Sequence, residues 1–156
     1  MVKYSSNQIL IIADHASNYL PKEYYKLGLT SVFLNQHIAF DIGVKELSLD
    51  LSNRLKCKVI QGKYSRLLID LNRDLDDPTV IPEIVDRKII PGNIGLSKSE
   101  LRLRVKKIYN KSRKLINRIF LFILAMPMGI PLLLPFFLIY GSYLSLIVFA
   151  ISTDSG

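Results

Sequence analysis

The stretch Ile9-Leu10-Ile11-Ile12-Ala13-Asp14-His15-Ala16-Ser17-Asn18 decides the fold class. Five apolar residues without a polar break suit a strand buried on both faces, as in a parallel sheet. The polar run Asp14–Asn18 follows at once, where such a strand ends. Ligands of open α/β sheets collect at the carboxyl ends of their strands, so a site is expected there. Working outward, Pro21 and Gly28 bracket a short helix over 21–27. From Gln36 to Leu55 the apolar period is helical: Val44, Leu47, Leu51 and Leu55 make a buried stripe, and His37 and Asp41 share one face of its first turns. Lys58–Gln61 and Leu67–Leu71 read as two strands around Gly62-Lys63. Residues 72–93, with Pro78, Pro82 and Pro91 and many charges, read as a long ordered loop over the site edge. Ser97-Lys98-Ser99-Glu100 is a capping-box pattern. It opens a long basic amphipathic helix striped by Leu101, Val105, Ile108, Leu115 and Ile119. The order β-α-α-β-β-loop-α predicts a layered α/β domain with few strands for a complete sheet.

A chain of 156 residues, 49% hydrophobic, has room for one domain and argues against disorder. The net charge of +8 is unevenly placed: residues 1–118 carry every Lys and Arg, and residues 119–156 carry only Asp154. Along most of the body the cations alternate with acids, which speaks against a nucleic-acid partner. They crowd together only over 102–118, a solvated helix face or a contact for membrane headgroups or nucleic acid. Cys57 is alone, so no intrachain disulfide or Cys-x-x-Cys pair exists, and its strand-like setting suggests a buried, inert thiol. The first seven residues form no secretory signal, and a cytoplasmic body is the expectation.

From Ile119 to Thr153 no residue is charged. That run exceeds the roughly 20 residues that cross a bilayer, and the preceding cations would lie on the cytoplasmic side. Pro127, Pro131 and Pro135 would break or kink a helix, and Leu144–Ile151 forms a second apolar segment. Three readings stay open: an anchor giving inner-membrane association through 119–151, a pair of buried core segments, or a frameshifted or decayed end. The division expected is an α/β body over 1–118 and a helical apolar tail over 119–156 that does not complete the sheet.

Three segments carry the chemistry: Asp14–Asn18, His37-Ile38-Ala39-Phe40-Asp41-Ile42-Gly43, and Tyr64-Ser65-Arg66-Leu67-Leu68-Ile69-Asp70-Leu71-Asn72-Arg73. A neutral imidazole is a common metal ligand and a neighbouring carboxylate can orient it, while a lone histidine after a strand is more often structural. Asp41 could equally be a favourable acid in a helix's first turn. Guanidinium groups bind carboxylates through paired hydrogen bonds, or form an ion pair between strand and loop.

Taken together, the three segments resemble the N-formylglutamate amidohydrolase family from about Ile9 to about Phe120. The resemblance implies a partial layered α/β/α domain similar to zinc-dependent exopeptidases, a zinc cofactor, and a small N-formyl or N-acyl amino acid as substrate. It implies His15 and Asp41 as metal ligands and Arg66 and Arg73 as contacts of a substrate carboxylate. Asp70 and Asn72 would hold those arginines, with Asp14, Ser17 and His37 also in support. Pro82-Glu83 and Pro91-Gly92-Asn93 match the family too, in what reads as loop geometry. The family supplies a further histidine and a glutamate from its C-terminal half, and its Tyr-His pair in the last basic helix reads Ser112-Arg113 here. The expectation is a truncated amidohydrolase, weak or inactive as this chain. The alternative is a membrane-anchored non-enzymatic protein or a decayed gene product.

Overall fold

The computed structural model describes the backbone of residues 9–124, 132–134, 138–141 and 144–152, and the side chains of residues 9–118. Strand β1 (Ile9–Ala13) sits inside a mixed sheet, with Leu10, Ile11, Ile12 and Ala13 all buried. It pairs in parallel with β2 (Lys58–Gln61), Ile11 lying opposite Val59. Its other edge pairs antiparallel with β7 (Leu144–Ser152), Ile11 lying opposite Val148. Strands β5 (Leu132–Leu134) and β6 (Leu138–Gly141) both join β7, also antiparallel. The unbroken apolar run of β1 is therefore covered as a central strand should be.

The last three strands correct the expectation of a helical tail outside the sheet. A short apolar run bounded by turn residues cannot be assigned to helix or strand by periodicity alone. The composition of Leu144-Ser145-Leu146-Ile147-Val148-Phe149-Ala150-Ile151, with its β-branched and aromatic residues, is compatible with a pleated surface, and pairing with β1 settles it. Among the described residues no helix is long and apolar enough to cross a membrane. The breaks expected at Pro127, Pro131 and Pro135 lie outside the described residues.

The short helix expected over 21–27 is a 3-10 segment, Lys22–Gly28, in which Tyr25, Lys26 and Leu27 have left-handed backbone angles. Helix α1 is a single turn, Ser31–Leu34, capped by the Thr30 side chain. Helix α2 (Val44–Leu55) starts eight residues later than the apolar period suggested. Residues 36–43 form turns instead, closed by Ala39 N–H donating to Gln36 O at 3.0 Å and Val44 N–H to Asp41 O at 3.2 Å. Gly43, at φ 83°, is the left-handed joint where the helix begins. Val44 and Ser48 of α2 are buried, while Leu47 and Leu55 of the expected stripe are exposed. This helix packs on β1 and β2.

Leu67–Leu71, expected as a strand, is an irregular loop. Its apolar side chains nonetheless lie in the larger core: Leu67, Leu68 and Ile69 are fully buried and join Leu27, Ile90 and Ile108 there. Each such side chain contributes about 1.5–3 kcal/mol on burial, so packing holds this segment where a hydrogen-bonded ladder does not. Residues 72–93 carry a small hairpin, β3 (Ile84–Val85) with β4 (Lys88–Ile89). The capping box at Ser97 and Glu100 forms as expected and opens α3 (Lys98–Arg104). A π turn over Val105–Tyr109 joins α3 to α4 (Asn110–Leu124). The wider turn rotates the inward face: Ile108 and Tyr109 are buried, whereas Leu101 and Leu115 of the expected stripe are exposed. The basic face is not wholly solvated either, since Arg104 is buried. Cys57, at the foot of β2, is half-buried, and that burial raises its thiol pKa.

Candidate active site at the end of β1

The three chemistry-bearing segments meet because the backbone stitches them together. His15 lies in the turn that follows β1, and its carbonyl accepts from the Asp41 N–H at 3.0 Å. The Ala39 carbonyl accepts from Ser65 Oγ at 2.7 Å and from the Arg66 N–H at 3.3 Å. The Asp70 N–H donates to Val80 O at 2.7 Å, anchoring the far end of the loop. Gly62, just past β2, lies so close to the turn that a Cβ there would fall 1.8 Å from the Asp14 carbonyl oxygen.

His15, 1% exposed, is held between two buried carboxylates. Its Nε2 lies 2.6 Å from Asp70 Oδ1 and its Nδ1 lies 3.5 Å from Asp41 Oδ2. Arg66 spans the same two acids, with Nη2 3.0 Å from Asp70 Oδ2 and Nη1 3.4 Å from Asp41 Oδ1. Burial disfavours the charged imidazolium, but the hydrogen bonds to Asp41 and Asp70 outweigh it, so the His15 pKa is raised. Burial likewise opposes ionisation of Asp70, yet His15, Arg66 and the Asn72 N–H outweigh it, and the Asp70 pKa is lowered. An ionised Asp70 only accepts, so His15 Nε2 carries a proton. That leaves Nδ1 facing a second carboxylate, an arrangement satisfied by a proton on Nδ1 or by a cation between Nδ1 and Asp41.

The remaining residues singled out from sequence divide clearly. Asp14 is buried beside the site; burial raises its pKa, and His15 and Arg113 offset this only in part. Arg73 binds Asp77 at 3.0 Å and lies 3.8 Å from Asp70 Oδ2 through its Nε. Asn72 gives Asp70 its backbone N–H at 2.9 Å. Ser17 serves its own turn, accepting from the Tyr19 N–H at 3.1 Å. His37 does not share a helix face with Asp41; it pairs at 3.0 Å with Asp86 of the hairpin, both exposed. The turns over 36–43 send the two side chains to different surroundings.

Residues beyond the three segments also reach the loop. Arg113 donates to Leu71 O at 3.2 Å and Tyr109 Oη donates to Arg73 O at 2.8 Å. Arg113 is exposed overall, yet its Nη2 reaches back over the loop end to Leu71 O and Tyr109 Oη; the sequence marks the position only through the Ser112-Arg113 departure from the family pattern.

Zinc bonded at about 2.1 Å by two tetrahedral donors separates them by about 3.4 Å. The 3.5 Å between His15 Nδ1 and Asp41 Oδ2 fits such a pair, and Asp70 on Nε2 supplies the orienting partner typical of metal-bound histidine. Among the described residues, however, no group of three or more His, Cys, Asp or Glu is placed to hold a metal. The donor set present fits two positions of a site, not a closed one.

A carboxylate-braced histidine beside a bridging arginine thus lies at the carboxyl end of a buried strand, where ligands of open α/β sheets collect. The family model described as N-formylglutamate amidohydrolase matches residues 7–118, and the chain belongs to that family. Its structure is similar to the crystal structure of a gene product from Agrobacterium tumefaciens, with 28% sequence identity and a TM-score of 0.71. The likeness covers 76% of this chain and 46% of that one, so the chain spans less than half of that structure's length. No curated protein matches the chain.

Proposed function

We propose that this chain carries the metal-binding and substrate-carboxylate part of an amidohydrolase site acting on an N-formyl or N-acyl amino acid such as N-formylglutamate. The observation that carries the reading is His15 braced by Asp70 on one nitrogen and facing Asp41 with the other, while Arg66 bridges both acids. In this reading His15 and Asp41 hold a zinc ion, which when bound would polarise the substrate carbonyl and lower the pKa of a water. Asp70 keeps the Nε2 proton in place, so that Nδ1, on the side of Asp41, would be the coordinating nitrogen. Arg66, one quarter exposed, turns its guanidinium between the site acids and solvent, where a substrate carboxylate can take up its remaining donors. Arg73, already shared by Asp77 and Asp70, would contribute a second positive charge at the same edge.

Two protein donors leave most of the coordination sphere to water, and water-derived ligands give weak affinity. The expected outcome is zinc binding in the full chain that competes with the His15 proton. Isothermal titration calorimetry should show proton uptake by buffer on zinc addition, lost in His15→Ala and Asp41→Asn. Catalytic zinc sites hold three protein ligands and a general base takes a proton from the water. Formate release from N-formylglutamate by this chain alone, with zinc supplied, should therefore not exceed background. Zinc binding that survives both substitutions overturns the ligand assignment, and robust turnover overturns the two-donor argument.

A further inference from the structure

The loop carrying Arg66 and Asp70 is buried yet makes no ladder. Buried backbone carbonyls need partners, and at Leu67 and Leu68 the partners are side chains from distant elements. Asn93 Nδ2 donates to Leu67 O at 2.8 Å and to Pro82 O at 2.7 Å. Arg104 Nη1 donates to Leu68 O at 3.1 Å and to Asn93 Oδ1 at 2.7 Å, while its Nη2 donates to Gly92 O at 3.1 Å. Asn93 and Arg104 are 1% and 3% exposed. Arg104 faces the Tyr24 ring, 5.2 Å from its centroid, and its Nε has no hydrogen-bond partner. No carboxylate forms an ion pair with this guanidinium among the described residues.

Burying a cation without a carboxylate in direct contact is costly, even with the Glu100 charge one turn away, and a packed apolar residue would serve stability as well or better. What an apolar residue cannot do is fix two successive carbonyls of an irregular loop. We infer that Asn93 and Arg104 are positioning residues: they set the path of the loop over 65–72, and through Asp70 they set the orientation of the His15 ring. The chain of contacts is short. Arg104 holds Asn93, the two hold Leu67 O and Leu68 O, and Asp70 two residues later holds His15 Nε2 at 2.6 Å. The functional meaning of this rests on the amidohydrolase reading, but the geometry does not.

The test therefore reads the ring itself, in the full chain with chelator present and no substrate. His15 and His37 are the two histidines of the sequence, so imidazole N–H and ring ¹⁵N signals at one fixed pH report both, His37 serving as the internal reference. Asn93→Asp keeps an acceptor for Arg104 and adds a carboxylate in direct contact with it, but removes both donors to the carbonyls. Arg104→Met keeps bulk and removes the fork. Both should move the His15 Nε2–H signal upfield and speed its exchange with water at least tenfold, leaving His37 unchanged. Arg104→Lys should lie between Met and the native residue. Ser97→Ala, which opens the cap of the same helix, should leave His15 untouched. Folded Asn93→Asp and Arg104→Met proteins with a native His15 signal overturn the proposal, as does a Ser97→Ala shift of equal size. Should Arg104→Met not fold, an unshifted His15 signal in Arg104→Lys decides against it.

Discussion

His15–Asp70 and His37–Asp86 are histidine–aspartate pairs of similar reach and opposite setting. His15 and Asp70 meet at 2.6 Å with side chains 1% and 4% exposed; His37 and Asp86 meet at 3.0 Å with side chains 52% and 60% exposed. The first is embedded among Asp41, Arg66 and the hydrogen-bonded loop, so solvent does little to screen its charges. The second lies in water, where solvent competes for both groups. The difference teaches that a residue pair acquires chemical meaning from the scaffold around it. At the end of β1 the backbone bonds from Asp41 to His15 and from Ser65 and Arg66 to Ala39 create that scaffold.

The comparison is tested most severely by removing the acid from the buried pair. Asp70→Ala leaves His15 and Arg66 without the nearer of their two shared partners, and breaking a buried charge pair typically costs about 3–5 kcal/mol. Urea unfolding of the full chain should show a loss of that order. A change below 1 kcal/mol would mean that Asp41 alone satisfies the cluster. The pH dependence carries a matching signature. Because the folded His15 pKa is raised, its contribution is complete below about 6.5, its unfolded value, and is lost as pH rises through the folded one. Because the folded Asp70 pKa is lowered, its contribution is present above about 3.9 and is lost as pH falls through the folded value. Stability measured against pH should therefore be highest between these limits, and Asp70→Asn should flatten the acid limb.

A smaller effect attacks the scaffold without touching a charge. Gly62→Ala would bring a Cβ into the Asp14 carbonyl, which is backbone and cannot swing aside. Overpacking of this kind costs about 1–3 kcal/mol. The shift should appear both in the unfolding midpoint and in the amide signals of Asp14 and His15. A native spectrum would show that the approach of β2 to this turn is not a constraint.

How far the sequence discloses this arrangement depends on how local the cause is. The central strand Ile9–Ala13, its neighbour Lys58–Gln61 and the cap at Ser97 are legible, because apolar continuity and capping chemistry act over a few residues. The site segments are legible through the family resemblance, which brings together His15, Asp41, Arg66 and Asp70. The weight of Asp70 is not: it reads as a support for arginines, yet it also holds His15. The helix before Val44 and the strand at Leu67 fail because tertiary bonds to His15, Ala39, Asn93 and Arg104 override local periodicity there. The tail misleads for a related reason. An uncharged run fits a membrane helix and an interior strand alike, and the decision lies with β1, more than a hundred residues away.

The exposed pair supplies the smallest effect and the control for the largest. His37 and Asp86 are both more than half exposed, and pairs in such settings contribute roughly 0–1 kcal/mol because solvent screens them and their side chains lose freedom on pairing. Asp86 has a further reason to be tolerant or even improvable. It takes φ 48° at the tip of the hairpin, with Arg87 at φ 63° beside it, and glycine adopts that backbone without steric cost. Asp86→Gly should therefore exchange a weak ion pair for relief at the turn. Its unfolding midpoint should stay within about 0.5 kcal/mol of the native chain, the usual range for surface substitutions. Lys88 would still hold the hairpin to Gln36 at 3.2 Å and to the Phe33 ring at 4.6 Å, so the contact between hairpin and the 33–37 segment does not depend on the pair. A loss approaching that of Asp70→Ala would show that the surface pair shares the energetics of the buried one, and burial would then cease to explain why one pair sits in a site and the other does not.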